Sequence, residues 1–164
     1  MLPAHLIWIM ASAPAAREPR GVSNWRRTPM YSALLVPVSF EEDRDSAGAI
    51  AVARALCAEG GKITLLHVME HIPAYASEYL PAEFRTEQQE EIRQRLAARV
   101  ADIPNADVAV VEGHSGRTIV EEAKTRGSDC IVVASHRPGM QDLLLGSTAT
   151  HVVRHAACAV HVLR

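Results

Sequence analysis

The sequence predicts an α/β protein with a doubly wound, parallel β-sheet. Short apolar runs rich in valine, isoleucine and leucine recur along the chain, as in strands that are buried on both faces. Stretches long enough for helices separate these runs, which is what right-handed crossovers between parallel strands require. Five strands with helices on both faces of one sheet therefore form the predicted architecture.

The first half of the domain supplies two strands and two helices. The first strand is apolar throughout, and the Ala-rich segment after it is expected to end as a helix at Gly60-Gly61. Ile92, Leu96 and Val100 are spaced four apart, so they form the buried stripe of a charged amphipathic helix. The predicted elements are a strand over 33–38, a helix over 46–59, a strand over 63–68 and a helix over 83–100.

The second half continues the alternation of strands and helices. Ser115 is a plausible N-cap for a helix that carries Ile119, Val120 and Ala123. Gly127 is expected to end that helix, because glycine is favoured just after a helix C-terminus. The predicted elements are a strand over 106–111, a helix from 115, a strand over 130–134, a helix over 147–155 and a strand over 159–163.

Length and composition correspond to one globular domain. The chain has 164 residues, of which 48% are hydrophobic and 22% charged. Its net charge of −2 gives no basic surface for nucleic acid and no attraction to anionic membranes. Cys57, Cys130 and Cys158 form no CxxC pair, so we expect free thiols and a reducing, cytoplasmic location.

Residues 1–29 differ in composition from the rest of the chain. A short apolar run over 6–10 precedes Ala/Pro-rich and Arg-rich sequence, and it is too short to span a bilayer, which takes ~20 apolar residues. No Lys or Arg precedes this run, whereas a secretory signal requires a positively charged start. We therefore expect a disordered extension or a misassigned start codon, with a cleaved signal as the alternative, and a folded domain over 30–164.

The predicted topology places a candidate binding site at the carboxyl ends of the strands. In doubly wound sheets, ligands bind there, at the point where the strand order reverses. Ser39, the segment Val68–Glu70 and the segment Ala134–Arg137 all follow strands in this way. Gly146-Ser147 opens a predicted helix, whose free N–H groups and positive dipole end suit an anion. A plain helix N-terminus is the simpler interpretation of Gly146-Ser147.

Six short motifs, in this order, resemble the universal stress protein family. They are L-L-V-P-V at 34–38, L-L-H-V-M-E at 65–70, V-E-G-H at 111–114, A-S-H-R-P at 134–138, L-L-G-S at 144–147 and V-V-R-H-A-A-C-A-V-H-V-L-R at 152–164. The resemblance covers 30–164 and looks closest to the small single-domain F/G-type members of enteric bacteria. It implies strand order 3-2-1-4-5 in a sheet of the adenine nucleotide alpha hydrolase-like, Rossmann-like class.

The resemblance also implies a bound ATP, with or without Mg²⁺. Val68 matches the residue whose backbone meets the adenine edge, and Ser39 the residue that contacts the nucleoside. The triphosphate and ribose are expected on the loop after the fourth strand and on the start of the next helix. The implied nucleotide-binding residues are Pro37, Val38, Ser39, Val68, Ala134, Ser135, His136, Arg137, Gly146, Ser147 and Thr148.

Two positions depart from the ATP-binding members of the family. Ser39 stands where those members usually carry Asp, and a hydroxyl is a weaker anchor for a nucleoside. In the phosphate loop only Gly146, followed by Ser147, is kept. One alignment puts Val133 and His136 at the other two glycines; another puts Ala134 at the first and deletes the second. Because glycine lets backbone approach phosphate closely, the loop is altered, although Arg137 can add a positive charge.

A second implication of the resemblance is a homodimer paired through the last strand. The residues of that strand are Ala159, Val160, His161, Val162 and Leu163. Independently of the resemblance, a strand at the edge of a sheet presents unpaired backbone groups to a partner strand. We therefore expect a homodimer or higher homo-oligomer.

Neither a catalytic residue nor a metal site is predicted. His151 and His155 lie four apart on a helix and could chelate a metal, but no third ligand is evident, so an exposed helix face is the favoured interpretation. Ser115 beside His114 suggests a nucleophile and base, yet the chain has no Gly-x-Ser-x-Gly elbow. Helix capping is the interpretation of Ser115.

The expected function is that of a cytoplasmic stress-response protein that binds ATP or another adenine nucleotide. Without a placed general base, turnover should be slow or absent. Two alternatives stay open. One is a nucleotide-free dimeric module that binds a protein partner, and the other is a slow ATP hydrolase or nucleotidyl transferase.

Overall fold

The structure is a computed structural model that describes residues 30–40, 46–71, 82–135 and 145–163. The predicted extension at 1–29 lies outside the described residues. In chain order the described elements are β1 (Tyr31–Pro37), α1 (Ser46–Leu56), β2 (Cys57–Met69), α2 (Ala82–Val100), β3 (Ala106–Glu112), α3 (Ser115–Thr125), β4 (Cys130–Ala134), α4 (Ser147–His155) and β5 (Ala159–Leu163).

The five strands form one parallel sheet of order β3-β2-β1-β4-β5, which confirms the predicted fold and strand order. Leu35 in β1 is in register with Thr64 of β2 on one side and Ile131 of β4 on the other. The chain therefore starts in the middle of the sheet and winds outward in both directions. That reversal between β1 and β4 is the switch point at which doubly wound folds bind ligands.

Two hydrophobic layers cover the two faces of the sheet. Leu34, Val36 and Leu65 belong to the layer that includes α1 and α2, whose buried stripe Ile92, Leu96 and Val100 is as predicted. Alternate strand residues point to the other face, since side chains alternate along a strand. There Leu35, Leu66 and Ile131 pack with Ile119 and Ala123 of α3 and Val152 of α4. The helices thus lie on both faces.

The end of α1 differs from the prediction. The helix stops at Leu56 rather than Glu59, and β2 begins at once with Cys57, which is in register with Tyr31 of β1. Pairing with the start of β1 outweighs the helix propensity of the Ala-rich segment. The register then shifts, and Gly60, with φ of +75°, lies in this irregular part of β2 instead of capping a helix.

The two ends of α3 test two further predictions. His114 occupies the N-cap position without a side-chain cap hydrogen bond, and Ser115 is already the first helical residue, so Ser115 as N-cap is wrong. Gly127 ends the helix as predicted. Its φ is +64°, its N–H donates to the Lys124 carbonyl at 3.2 Å, and Ser128 N–H donates to the Ala123 carbonyl at 2.8 Å.

None of the helices in the described segments is both long enough and apolar enough to cross a bilayer.

Candidate functional site

A cavity of about 610 Å³ lies at the carboxyl ends of β1, β2 and β4. These strands flank the switch point, so the cavity is where the topology predicts a ligand. Small polar side chains from the starts of α1, α3 and α4 complete its wall. The lining residues are Pro37, Val38, Ser39, Phe40, Ser46, Leu66, His67, Val68, Glu70, Ser115, Ile119, Val133, Ala134, Ser147 and Thr148.

Most of the residues predicted to bind nucleotide converge on this cavity. Those that line it are Pro37, Val38, Ser39, Val68, Ala134, Ser147 and Thr148. Ser135 and Gly146 lie next to the lining, where the Gly146 N–H donates to Ser135 Oγ at 3.3 Å and ties the end of β4 to the start of α4. His136 and Arg137 lie outside the described residues. Segments far apart in sequence are thus brought to one place.

Gly146 occupies the N-cap of α4 in an ordinary conformation, with φ of −58° and ψ of 159°. Its carbonyl accepts the first helical hydrogen bond, from Thr150 N–H at 2.9 Å, and no side chain caps the helix. A Cβ added at Gly146 would meet no described atom within 4 Å. Neither backbone conformation nor packing against the described residues therefore requires glycine here.

A stacked group of side chains forms the wall next to β1 and β2. His67 Nδ1 lies 2.8 Å from the Val38 carbonyl oxygen; a carbonyl only accepts, so Nδ1 carries the proton. The Phe40 ring centroid lies 5.0 Å from that of His67, and the Arg95 guanidinium carbon lies 4.1 Å from the Phe40 centroid. These contacts fix the position of Phe40 at the cavity. Sequence reasoning missed Phe40 and His67, since only the fold brings them together.

Glu70 and Ser115 meet at the side of the cavity near β3. Ser115 Oγ donates to Glu70 Oε1 at 3.4 Å, which joins the residue after β2 to the first residue of α3. Among the described lining residues Glu70 is the only acid, and none is Lys or Arg. The described wall is therefore weakly acidic near β2 and carries uncharged hydroxyl and backbone groups near α4.

Gly113 brings the start of α3 close to the end of β2. Its N–H donates to the Met69 carbonyl at 2.9 Å, and a Cβ at this position would lie 2.2 Å from Thr118 Oγ1. A larger residue would thus clash with the Thr118 side chain in the first turn of α3. The glycine of the V-E-G-H motif accordingly allows this turn to lie close to the end of β2.

The histidines of α4 stack on each other. The ring centroids of His151 and His155 lie 4.2 Å apart, and His155 Nδ1 donates to the His151 carbonyl at 2.9 Å. Partial burial lowers the pKa of His151, and nearby His155, His114 and Arg117 lower it further. Within the described part of the chain, no three or more His, Cys, Asp or Glu side chains are grouped so that they could hold a metal ion.

The last strand lies where the dimer prediction requires it. β5 is the edge strand next to β4, and all of Ala159–Leu163 are half-buried. Ser135 N–H donates to the Leu163 carbonyl at 2.8 Å, so the end of β5 also supports the loop after β4. The edge position is established, while pairing with a second copy stays a prediction.

Comparison with known proteins identifies the family. The universal stress protein family matches residues 30–164. Universal stress protein G of Shigella flexneri is 33% identical over an alignment of 143 positions, which covers 82% of this chain and 100% of that protein. The chain therefore belongs to the universal stress protein family.

Solved structures of the family share the fold. A universal stress protein from Lactobacillus plantarum has a TM-score of 0.59 at 29% identity, covering 82% of this chain and 99% of that chain. A family protein from Arabidopsis thaliana with AMP bound has a TM-score of 0.56 at 20% identity, covering 80% and 90%. One from Archaeoglobus fulgidus in complex with dAMP has a TM-score of 0.54 at 17% identity, covering 82% and 99%.

Proposed function

We propose that this protein binds ATP or another adenine nucleotide in the cavity at the carboxyl ends of β1, β2 and β4, and acts as a cytoplasmic stress-response protein with little or no turnover. The observation that carries the proposal is convergence. Residues chosen from sequence on four separate segments line one cavity. Its volume of about 610 Å³ is within the range of small-molecule sites, roughly 300–1,000 Å³.

The proposed orientation of the nucleotide follows from the polarity of the wall. Phosphates would lie at the start of α4, where Ser147, Thr148 and uncapped backbone N–H groups meet the positive end of the helix dipole. The base would lie toward Val68 and the nucleoside near Ser39. AMP and dAMP in the two fold neighbours support the choice of an adenine nucleotide.

Gly146 supports the phosphate position. Because the described fold does not itself require glycine there, a ligand that approaches the backbone closely would explain why a Cβ is absent. A phosphate at the first turn of α4 is such a ligand.

Slow or absent turnover is proposed because the sequence carries no recognisable catalytic motif, such as a Gly-x-Ser-x-Gly elbow. His67 Nε2 and the Glu70 carboxylate stay available as acceptors beside their present hydrogen bonds, so the fate of bound ATP decides the question. General-base catalysis needs a group that is placed on an attacking water and poised to take its proton. We expect ATP to stay intact on the protein over many minutes, as measured by chromatography of the nucleotide.

Binding is tested by calorimetry with ATP and AMP, together with analysis of nucleotide released when the purified protein is denatured. Gly146→Val should abolish binding, because its branched side chain occupies the phosphate position. Ala55→Val, at an exposed site in α1, is the matched control and should bind normally. No heat and no released nucleotide at millimolar concentration would contradict the proposal and favour a nucleotide-free partner-binding module.

We also propose a homodimer that forms through β5. The outer edge of β5 has no neighbouring strand among the described elements, so the backbone groups of β5 can pair with the same strand of a second copy. Sedimentation should give a dimer, and Val162→Pro should shift it toward monomer by removing an N–H donor. A wild-type monomer at high micromolar concentration would contradict the proposal.

A further inference from the structure

Glu70 introduces the one acidic group into the described wall of the cavity. It follows β2 directly, is exposed, and accepts a hydrogen bond from Ser115 Oγ at 3.4 Å. An exposed glutamate carries a negative charge at neutral pH. A phosphate placed beside it would be repelled, so Glu70 marks the end of the cavity that the phosphates avoid.

Glu70 and the start of α4 are far enough apart for a nucleotide to lie between them. Glu70 follows β2, whereas Ser147 and Thr148 open the helix after β4, and β1 lies between these strands. Neighbouring strands are ~4.8 Å apart, so the two sides of the cavity are separated by roughly 10 Å. A ribose near Glu70, rather than on the loop after β4 where the family resemblance places it, can then reach the start of α4 with its 5′-phosphate.

The chemistry of a carboxylate selects what it can bind there. A carboxylate only accepts hydrogen bonds, and its two oxygens can accept from two donors at once. Ser115 donates to Oε1 and leaves further acceptor capacity on both oxygens. The 2′- and 3′-hydroxyls of a ribose are two adjacent donors. In dinucleotide-binding folds, an acidic residue about 20 residues after the phosphate-binding turn binds the ribose 2′-hydroxyl for the same reason.

We propose that Glu70 is a specificity-determining residue that accepts hydrogen bonds from the ribose 2′- and 3′-hydroxyls and so selects ribonucleotides over deoxyribonucleotides. The inference rests on the proposed function, because it requires a nucleotide in this cavity. Ser115 is a positioning residue that holds the carboxylate toward the ligand, and Gly113 allows Ser115 to approach.

The test compares three ligands and four proteins by calorimetry. The ligands are AMP, 2′-deoxy-AMP and 3′-deoxy-AMP, which differ only in their hydroxyls. The proteins are the wild type, Glu70→Gln, Ser115→Ala and Glu59→Gln. Glu59 is the matched control, since it is exposed near the amino end of the same strand and lies far from the cavity.

The wild type should bind AMP roughly tenfold more tightly than either deoxy form, the usual effect of one hydrogen bond to a charged acceptor. Glu70→Gln should weaken AMP by a similar factor while changing the deoxy forms little, so the preference disappears. Glu59→Gln should keep it. Ser115→Ala should reduce the preference about threefold, as a lost positioning contact would.

Two results overturn the inference separately from the proposed function. Equal binding of AMP and the deoxy forms by the wild type shows that no group reads the hydroxyls. A preference that survives in Glu70→Gln and also in Glu70→Ala, which removes every side-chain acceptor, shows that another residue reads them. In both cases nucleotide binding itself stands. A wild type that binds none of the three ligands overturns the proposed function and this inference together.

Discussion

The two ends of the sheet differ in chemistry although the same strands form both. At the carboxyl end, polar residues follow β1, β2 and β4, and the cavity opens between Ser39, Glu70 and Ser147. At the amino end, the Asp129 carboxylate accepts from Ser32 N–H at 2.7 Å and Ala33 N–H at 3.0 Å and closes the gap before β4. One end is open to a ligand and the other is closed by the chain itself.

The three thiols all lie at the closed, amino end of the sheet. All three cysteines are free and lie at the amino ends of β2, β4 and β5, away from the cavity. Burial raises the pKa of each of them, and the negative charge of Asp129 contributes in each case. We therefore expect stability to depend on the amino end of the sheet and the proposed binding to depend on the carboxyl end, so substitutions should separate the two.

The largest expected effect concerns Cys130. Burial raises the pKa of its thiol from 9.0 to about 12, and this lowers the thiolate fraction by about a thousandfold. Iodoacetamide at pH 8 should label Cys130 far more slowly than the half-buried Cys57 and Cys158 in the native protein, by mass spectrometry of digests. Equal labelling of all three thiols would show that the amino end is not closed.

The next effect in size is that of Asp129→Ala. Removing an acceptor of two backbone hydrogen bonds should lower the free energy of unfolding by about 2 kcal/mol, by urea denaturation, and leave nucleotide affinity unchanged. Asp102→Ala removes only an exposed ion pair with Arg54 and serves as the control, with little change expected. If Asp129→Ala weakened binding as much as stability, the two ends would not be independent.

The smallest effect is the pH dependence contributed by His151. Because the pKa of this histidine is lowered in the folded state, the unfolded chain takes up its proton first as pH falls. Stability should therefore decrease between about pH 7 and pH 5, as the unfolded histidine protonates near pH 6.5. His151→Gln should flatten this slope in thermal denaturation curves. A slope unchanged in His151→Gln would contradict the assignment.

Much of the fold was predictable because it follows local periodicity. The buried stripe of α2 and the end of α3 at Gly127 are as predicted, and each depends on residues within a few turns. The end of α1 was not predictable in this way. Cys57 is the first residue of β2 and not part of α1, because it pairs with Tyr31, which is distant in sequence.

In the candidate site, too, the residues marked by local sequence patterns were predicted, and those that depend on contacts between distant segments were not. Val68, Ala134 and Ser147 were found because strand ends and helix starts are visible in sequence, and the structure brings them to one cavity. Phe40, His67 and the Glu70–Ser115 pair gain their importance from contacts between distant segments. No local pattern marks such contacts. His136 and Arg137 lie outside the described residues, so their part in the site stays a prediction.

The central claim is that the carboxyl end of the sheet binds nucleotide while the amino end does not take part. It is tested most directly by adding AMP to the ¹⁵N-labelled protein and following backbone amide resonances by NMR. The account predicts that the amides of Ser39, Val68, Glu70 and Ser147 shift in a saturable way while those of Ser32 and Asp129 stay in place. Saturable shifts confined to the amino end, or no shifts at millimolar AMP, would contradict it.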